Sequence, residues 1–121
     1  MAYIDGFVIP VLPGQKEAYR EMAATAAQVF QEYGALQIVE ACEDDVPNGK
    51  VTDFRRAVQA REGETIVFSW IVWPSREARD AGNQKAMADA RLQPNGNPMP
   101  FDMQRMIFGG FTPIVEAGKR R

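Results

Sequence analysis

The chain has 121 residues, an apolar content of 45% and a net charge of −2, values typical of one globular domain over residues 1–121. It has no histidine and only one cysteine, which excludes Ser-His-Asp and Cys-His catalytic sites and an intrachain disulfide. We expect no nucleic-acid partner, because the only basic cluster is the solvated tail Lys119–Arg121.

The N-terminal third predicts a strand, a helix and a second strand. Residues Ala2–Val11 are rich in β-branched and aromatic side chains, as strands are. Apolar residues at three- and four-residue spacing over Gln15–Tyr33 predict an amphipathic helix, and Gly34 is suited to end it. Residues Ala35–Glu43 predict the second strand, which a turn-rich loop over 44–50 follows.

The middle of the chain contains one ambiguous segment and one clear strand. Thr52 could cap a short helix that runs to about Ala60, but a short strand fits that segment nearly as well. Residues Thr65–Trp73 (TIVFSWIVW) are apolar at both odd and even positions. A strand of this kind needs both of its faces covered.

A second helix and a last strand complete the pattern. Ser75 is a good N-cap for a helix that extends to about Leu92. The predicted buried side of this helix is formed mainly by small residues: Ala78, Ala81, Ala88 and Met87. After a Pro-rich loop, Arg105–Val115 predicts the last strand, in which Gly109-Gly110 indicates a bulge or a close backbone approach.

This order of elements predicts an α+β fold of the ferredoxin-like type. Two strand-helix-strand units give an antiparallel sheet that carries both helices on one face. The other face would remain open and apolar, so we expect a second copy of the chain to cover it. Two sheets packed face to face would form a dimeric α+β barrel.

Several stretches of the sequence resemble the YbaA-like bacterial family, a domain family of unknown function. The resemblance covers nearly the whole chain. The matching stretches are Tyr3-x-Asp5-Gly6-Phe7, the segment 40–54 (ExCxDDVPxGKxTDF), the segment 67–75 (VFSWIxWPS), Met87-x-Asp89-x-Arg91, and the segments 99–102 (MPFD) and 105–111 (RMIFGGF).

The resemblance implies membership of the dimeric α+β barrel superfamily. That superfamily includes cofactor-free monooxygenases, chlorite-dismutase-type haem proteins and stress-response barrels. The YbaA-like family has no catalytic residues that can be carried over to this chain, so candidate site residues must come from the sequence itself.

Two acidic residues within apolar strands are the candidate catalytic groups. Asp5 shares a strand parity with Tyr3 and Phe7, and Glu40 lies in the second strand. If the sheet face that carries these residues lines the barrel, both carboxylates would lie in a low-dielectric cavity. Burial there would raise their pKa values, which suits proton transfer. Alternatively, each pairs with an arginine, such as Arg55, Arg56 or Arg105, or lies at a wet rim.

The candidate ligand-binding residues are aromatic and cationic. Tyr3, Phe68 and Trp70 would form the wall of the cavity, although aromatic residues along a strand are more often core or interface. Arg105 could clamp an anion, or it could pair with Asp102 or with an acid of the second copy.

Other chemically active residue types favour simpler interpretations. The acidic residues of segment 40–53 have no recognised metal-ligand spacing, so we expect a charged turn and no metal site. We interpret Cys42 as a small buried residue.

Two functions remain open at this stage. The first is binding or transformation of a small molecule in the barrel cavity without a cofactor, as in a cofactor-free oxygenase. The alternative is a non-enzymatic homodimer that serves as a structural or interaction module. Neither a signal peptide nor an apolar run of about 20 residues is visible, so we expect a cytoplasmic protein without a membrane partner.

Overall fold

The structure, a computed structural model, describes residues 2–94 and 96–118, so the basic tail Lys119–Arg121 lies outside the described residues. Each strand prediction corresponds to an observed strand, within a few residues at its ends. In chain order the elements are β1 (Tyr3–Val11), α1 (Lys16–Glu32), β2 (Gln37–Cys42), α2 (Phe54–Ala57), β3 (Thr65–Trp73), α3 (Arg76–Ala88), a 3-10 turn (Ala90–Leu92) and β4 (Ile107–Phe111).

The four strands form one antiparallel sheet in the order β2-β3-β1-β4, with the long helices α1 and α3 on one face. This arrangement confirms the ferredoxin-like α+β fold. Strand register decides which residues share a face, because side chains alternate between the two faces of a sheet. Asp5 lies opposite Ile71, and Glu40 lies opposite Ser69, so all four belong to the face that the helices cover.

The core lies between the sheet and these two helices. Tyr19 and Ala23 of α1 pack against Ile9, Val11 and Val67. A second cluster joins Trp73 with Ala35 and Ile71, and the ring of Phe30 meets Trp73 edge to face. These contacts fix α1 above the centre of the sheet.

The predicted buried side of α3 is wrong for three of its four residues, and only Ala78 is partly buried. Ala81, Ala88 and Met87 are exposed, whereas Gly82 and Ala86 are buried. The helix approaches Trp73 so closely that a Cβ atom at position 82 would lie 2.6 Å from Cη2 of that ring. Alanine spacing alone could not reveal this phase, because the residue at the closest contact is a glycine.

Both ends of α3 follow from capping. The hydroxyl of Ser75 accepts a hydrogen bond from the backbone N–H of Ala78 at 3.0 Å, as the sequence predicts. The helix ends at Ala88 rather than at Leu92, and the carboxylate of Asp89 then accepts from the N–H of Arg91 at 2.9 Å. That bond starts the separate 3-10 turn.

The ambiguous segment forms a short helix, and its cap is Asp53 rather than Thr52. The Asp53 carboxylate accepts from the N–H of Arg56 at 2.8 Å. Just beyond this helix, the fully buried Val58 packs on Val8 and Ile66. The segment therefore covers one end of the sheet face opposite α1 and α3, which the element order alone would have left bare.

The glycine pair in β4 marks a close approach rather than a bulge. The register of β4 against β1 runs without interruption from Ile107 to Phe111. A Cβ atom at Gly110 would lie 2.7 Å from Cε2 of Tyr3. This glycine therefore lets the Tyr3 ring lie directly on the edge strand.

Candidate functional site

The sheet separates the candidate site residues into two groups. Tyr3, Asp5 and Glu40 lie on the face that α1 and α3 cover, and Phe68 and Trp70 lie on the opposite face. A single site inside a barrel of two sheets cannot contain both groups. The strand-parity argument placed the carboxylates in the space between two facing sheets. The structure instead places them on the other face of the sheet, beneath the helices.

Asp5 belongs to a buried ion pair. Its carboxylate accepts from Nε of Arg79 at 3.0 Å and from Nε1 of Trp73 at 3.0 Å, and Nη2 of Arg79 lies 3.0 Å from Oδ1. The guanidinium also stacks over the ring of Tyr3, 4.8 Å from its centroid. Asp5 therefore pairs with an arginine, which was the alternative to a catalytic role. The partner is Arg79 and not Arg55, Arg56 or Arg105.

Arg105 is likewise engaged by neighbouring acids. Nε lies 2.7 Å from Asp102, the partner that the sequence suggested, and Nη2 lies 2.6 Å from Oε2 of Glu64. Nη1 donates to Glu64 at 2.7 Å and to the carbonyl of Gln59 at 2.9 Å. These bonds engage all three guanidinium nitrogens of Arg105 with protein acceptors, so the sequence-based role of an anion clamp is not supported. Glu64 had not been considered, although it lies directly before β3.

Glu40 lies at the wall of a cavity between α1 and the sheet. The cavity has a volume of about 200 Å³, and its lining is almost wholly apolar. Glu40 stands on the edge strand β2, so the residue is also open to solvent on its outer side. The lining residues are Phe7, Ile9, Tyr19, Met22, Ala23, Ala26, Ala27, Phe30, Ile38, Glu40, Ser69, Ile71, Phe101 and Met106.

Three polar side chains meet at the wall of this apolar cavity, and Glu40 among them is exposed on its outer side. The hydroxyl of Tyr19 donates to Oε1 of Glu40 at 2.7 Å, and the buried Ser69 hydroxyl bonds the same carboxyl group. The ring of Phe101 packs edge to face on Tyr19, with ring centroids 5.7 Å apart. Among the described residues no arginine or lysine forms an ion pair with Glu40, which distinguishes it from Asp5 and Glu64.

The environment of Glu40 is less favourable to the charged carboxylate than water is. Burial raises the pKa of this carboxyl above its ordinary value, and the hydrogen bonds from Tyr19 and Ser69 only partly oppose the shift. Burial, followed by the bond to Glu40, also raises the pKa of the Tyr19 hydroxyl, which therefore keeps its proton and acts as a donor. A carboxylate with a raised pKa and no cationic partner is suited to accept a proton.

We expect the pH dependence of stability to report this shift. Because the folded pKa of Glu40 is raised, the native state holds this proton over a pH range in which the unfolded state has released it. The free energy of unfolding therefore falls as pH rises through that range. Glu40→Gln keeps an oxygen acceptor for Tyr19 and lacks the titration, so its stability relative to wild type should increase with pH and then level off.

Urea unfolding of both proteins at several pH values measures this difference, and a ¹³C NMR titration of the Glu40 carboxyl gives the pKa directly. Glu62→Gln, at an exposed carboxylate, is the matched control. A midpoint for Glu40 at or below its ordinary value would contradict the assignment.

The structure adds Tyr19 and Ser69 to the candidate site. Tyr19 lies within the helix that the sequence predicts over Gln15–Tyr33, and its ring packs in the core. Ser69 had a visible signal, since it is the only hydroxyl side chain between Ile66 and Trp73, and it is only 1% exposed. A buried hydroxyl in a strand of this kind needs a partner, and Glu40 on the neighbouring strand provides one.

A second, wider groove lies on the opposite face of the sheet. It has a volume of about 680 Å³ and is open along its length. Phe68 and Trp70 line it together with Ile107 and Phe111, while Gly6 and Gly109 leave its floor without side chains. We refer to this surface, from Ile4 to Pro113, as the open face.

The structure also places Cys42 and the acidic residue Glu43. Cys42 is exposed rather than buried, because it ends the edge strand β2. Glu43 binds Nη1 of Arg55 at 3.0 Å and the N–H of Ile66 at 2.7 Å.

Within residues 2–94 and 96–118, no cluster of three acids or cysteines could hold a metal ion. In that same part of the chain, no helix has the length and apolar character to span a membrane.

Comparison with known proteins identifies relatives over almost the full length. The sequence profile of the family described as protein of unknown function (DUF1428) matches residues 2–103. The uncharacterized protein YbaA of Escherichia coli strain K12 is 60% identical over 116 residues, which is 96% of this chain and 99% of that protein.

Solved structures with little sequence similarity share the fold. A mutant of MhuD with two manganese protoporphyrin IX bound per active site matches with a TM-score of 0.64 and 17% identity, over 97% of this chain and 99% of the other. A mutant of SnoaB, described as a cofactor-independent oxygenase from Streptomyces nogalater, matches with a TM-score of 0.55 and 12% identity over 97% and 98% of the two chains. At these identities the likeness concerns the fold alone.

Proposed function

The chain belongs to the protein family of unknown function DUF1428, and from its geometry we propose that it binds a small molecule between α1 and the sheet, where Glu40 accepts a proton from it. We propose this cavity in place of the space between two sheets. The observation that supports it is an ionisable carboxyl, without a cationic partner, at the wall of an apolar cavity.

The proposed chemistry is a single proton transfer. An acidic O–H, N–H or C–H bond of the bound molecule breaks, its proton passes to the Glu40 carboxylate, and the electron pair stays on the molecule. Tyr19 and Ser69 hold the carboxyl in place through their hydroxyls. This step needs no cofactor. SnoaB, which shares only the fold, is described as a cofactor-independent oxygenase, so the fold accommodates chemistry of that type.

Filling the cavity should abolish binding. We expect the small apolar probe toluene to bind wild type, and Ala26→Leu to weaken that binding at least about tenfold, because the longer side chain would occupy the cavity. Ala24→Leu makes the same change on the exposed side of α1 and should bind toluene as wild type does. Ligand-observed NMR titration measures the affinities, and thermal unfolding verifies the fold of each variant.

If Ala26→Leu bound toluene as well as wild type, the cavity would not be the binding site. Failure of wild type itself to bind would favour the alternative of a non-enzymatic structural or interaction module.

We also propose that two copies of the chain pack through their open faces. Large apolar side chains there have no cover within the described chain: Phe68, Ile107 and Phe111 are 44%, 45% and 60% exposed. A contiguous apolar surface of this kind is typical of an interface. In such a dimer the Glu40 cavities would lie on the far sides of the two sheets and stay accessible.

A charge on the open face should separate the subunits. We expect Phe111→Asp to weaken dimerisation at least about 100-fold, because an unpaired buried carboxylate costs several kcal/mol. Val51→Asp is the control, since Val51 is 91% exposed and lies outside this surface. Sedimentation equilibrium measures both. A monomeric wild type, or a Phe111→Asp protein that still dimerises like wild type, would refute this interface.

A further inference from the structure

The size of the Glu40 cavity restricts its ligand. Drug-sized molecules occupy pockets of about 300–1,000 Å³, and a closed apolar cavity of about 150 Å³ holds one benzene ring. At about 200 Å³ this cavity has room for one ring with a short substituent. The bulky side chains of Phe7 in β1, Phe30 in α1 and Phe101 in the loop before β4 bound it, so a larger ring system would displace them.

The charge of the lining restricts the ligand further. Of the 14 lining residues Glu40 is the only ionisable one at neutral pH, and none is lysine or arginine. Arg105, which the sequence offered as an anion clamp, is bound to Glu64 and Asp102, and Arg79 is bound to Asp5. An anion would therefore enter an apolar space with a like charge and no counter-ion, which is unfavourable.

Hydrogen bonding specifies the complementary group. An ionised carboxylate can only accept hydrogen bonds, and it has room for about four of them. Tyr19 and Ser69 provide two donors to Glu40, and the rest of the lining has no polar side chain. The accepting capacity that remains is open both to water and to a ligand in the cavity, so a donor on the ligand would gain a hydrogen bond to Glu40.

We infer that the site takes an uncharged or cationic molecule of one ring, whose short substituent ends in an O–H or N–H donor directed at Glu40. The inference rests on the proposed function and defines the ligand class of that same cavity. It excludes carboxylates and phosphates of the same size. It also excludes ring systems on the scale of the porphyrin that the MhuD structure contains.

Four probes of nearly equal size test the class: toluene, benzyl alcohol, benzylammonium and benzoate. They differ in charge and in the presence of a donor, and their affinities are measured by NMR titration at pH 7 and constant ionic strength. We expect benzylammonium to bind wild type at least about tenfold tighter than benzoate, and benzyl alcohol about fivefold tighter than toluene, as one net hydrogen bond provides. The three-ring alcohol 9-anthracenemethanol should not bind.

The matched variant is Glu40→Gln, which keeps the shape of the side chain and removes its charge. It should bring the affinities of benzylammonium and benzoate within about twofold of each other. Equal binding of all four probes to wild type, with toluene still blocked by Ala26→Leu, would refute the ligand class and leave the cavity intact. Benzoate as the tightest ligand would also refute it. Absence of toluene binding would remove the proposed function and this inference together.

Discussion

Arg105→Met is expected to lower the free energy of unfolding by about 3–5 kcal/mol, because it leaves a buried carboxylate without its cation. The Glu64 side chain is 2% exposed, and Nη1 and Nη2 of Arg105 hold its two oxygens at 2.7 and 2.6 Å. Without Arg105, the one hydrogen bond that the Glu64 carboxylate keeps among the described residues is that from the backbone N–H of Arg61, at 2.7 Å. Urea unfolding at pH 7 measures the loss.

The double variant Glu64→Met with Arg105→Met is the control for this prediction. Replacing both charges with apolar side chains of similar length removes the unpaired group, so the double variant should be more stable than Arg105→Met alone. If the single and double variants were equally unstable, lost packing around the methylene groups of Arg105 would explain the effect, and the unpaired charge would not.

The same pair predicts a pH dependence of opposite sign to that of Glu40. Arg105 holds the pKa of Glu64 below its ordinary value, so the unfolded state binds this proton more readily than the native state. The stabilisation is therefore fully present above the ordinary value of 4.5 and is lost as pH falls through the lowered value. Arg105→Met should remove this part of the acid sensitivity, which urea unfolding between pH 3 and pH 7 would show.

Trp73→Ala is expected to cost about 3–5 kcal/mol of unfolding free energy. The indole is fully buried at 0% exposure, packs on Phe30 with ring centroids 6.1 Å apart and donates from Nε1 to Asp5 at 3.0 Å. Its removal leaves a cavity beneath α3 and deprives Asp5 of one donor. Thermal and urea unfolding measure the loss.

Gly82 provides an internal test of that packing. Gly82→Ala alone should destabilise by about 1–3 kcal/mol, since the new Cβ would lie 2.6 Å from Cη2 of Trp73 and 2.8 Å from the carbonyl oxygen of Tyr33. With Trp73→Ala the ring clash is absent, and alanine is the better helix former by about 1 kcal/mol. The penalty should therefore shrink or reverse in the double variant. Strictly additive effects would mean that the contact with Trp73 is not what requires glycine.

The two faces of the sheet support separate roles in the proposed function. The face that α1 and α3 cover contains the cavity with Glu40, and the open face presents the apolar groove with Phe68 and Trp70. Variants on the two faces are therefore expected to act independently. Phe111→Asp should change assembly without changing the binding of toluene, and Ala26→Leu should have the opposite profile.

The sequence was sufficient for the four strands, the two long helices and their order. Local patterns carry this information: alternating or continuous apolar residues for Thr65–Trp73, three- and four-residue spacing for α1, and the hydroxyl of Ser75 for the start of α3. It also identified Glu40 and Asp5 as unusual, since a carboxyl group within an apolar strand is costly to bury. Each of these inferences uses only residues that lie close together in the sequence.

Only the tertiary structure decided which of the two carboxylates is available for chemistry. Asp5 and Glu40 look alike in sequence, but α3 brings Arg79 to Asp5, and α1 brings only the neutral Tyr19 to Glu40. The face that α3 turns toward Trp73 determines the contact between Arg79 and Asp5. Apolar spacing could not predict that face, because the residue closest to Trp73 is Gly82. A charge partner that is 74 residues away in sequence is set by the packing of a helix on a sheet, and no local pattern encodes it.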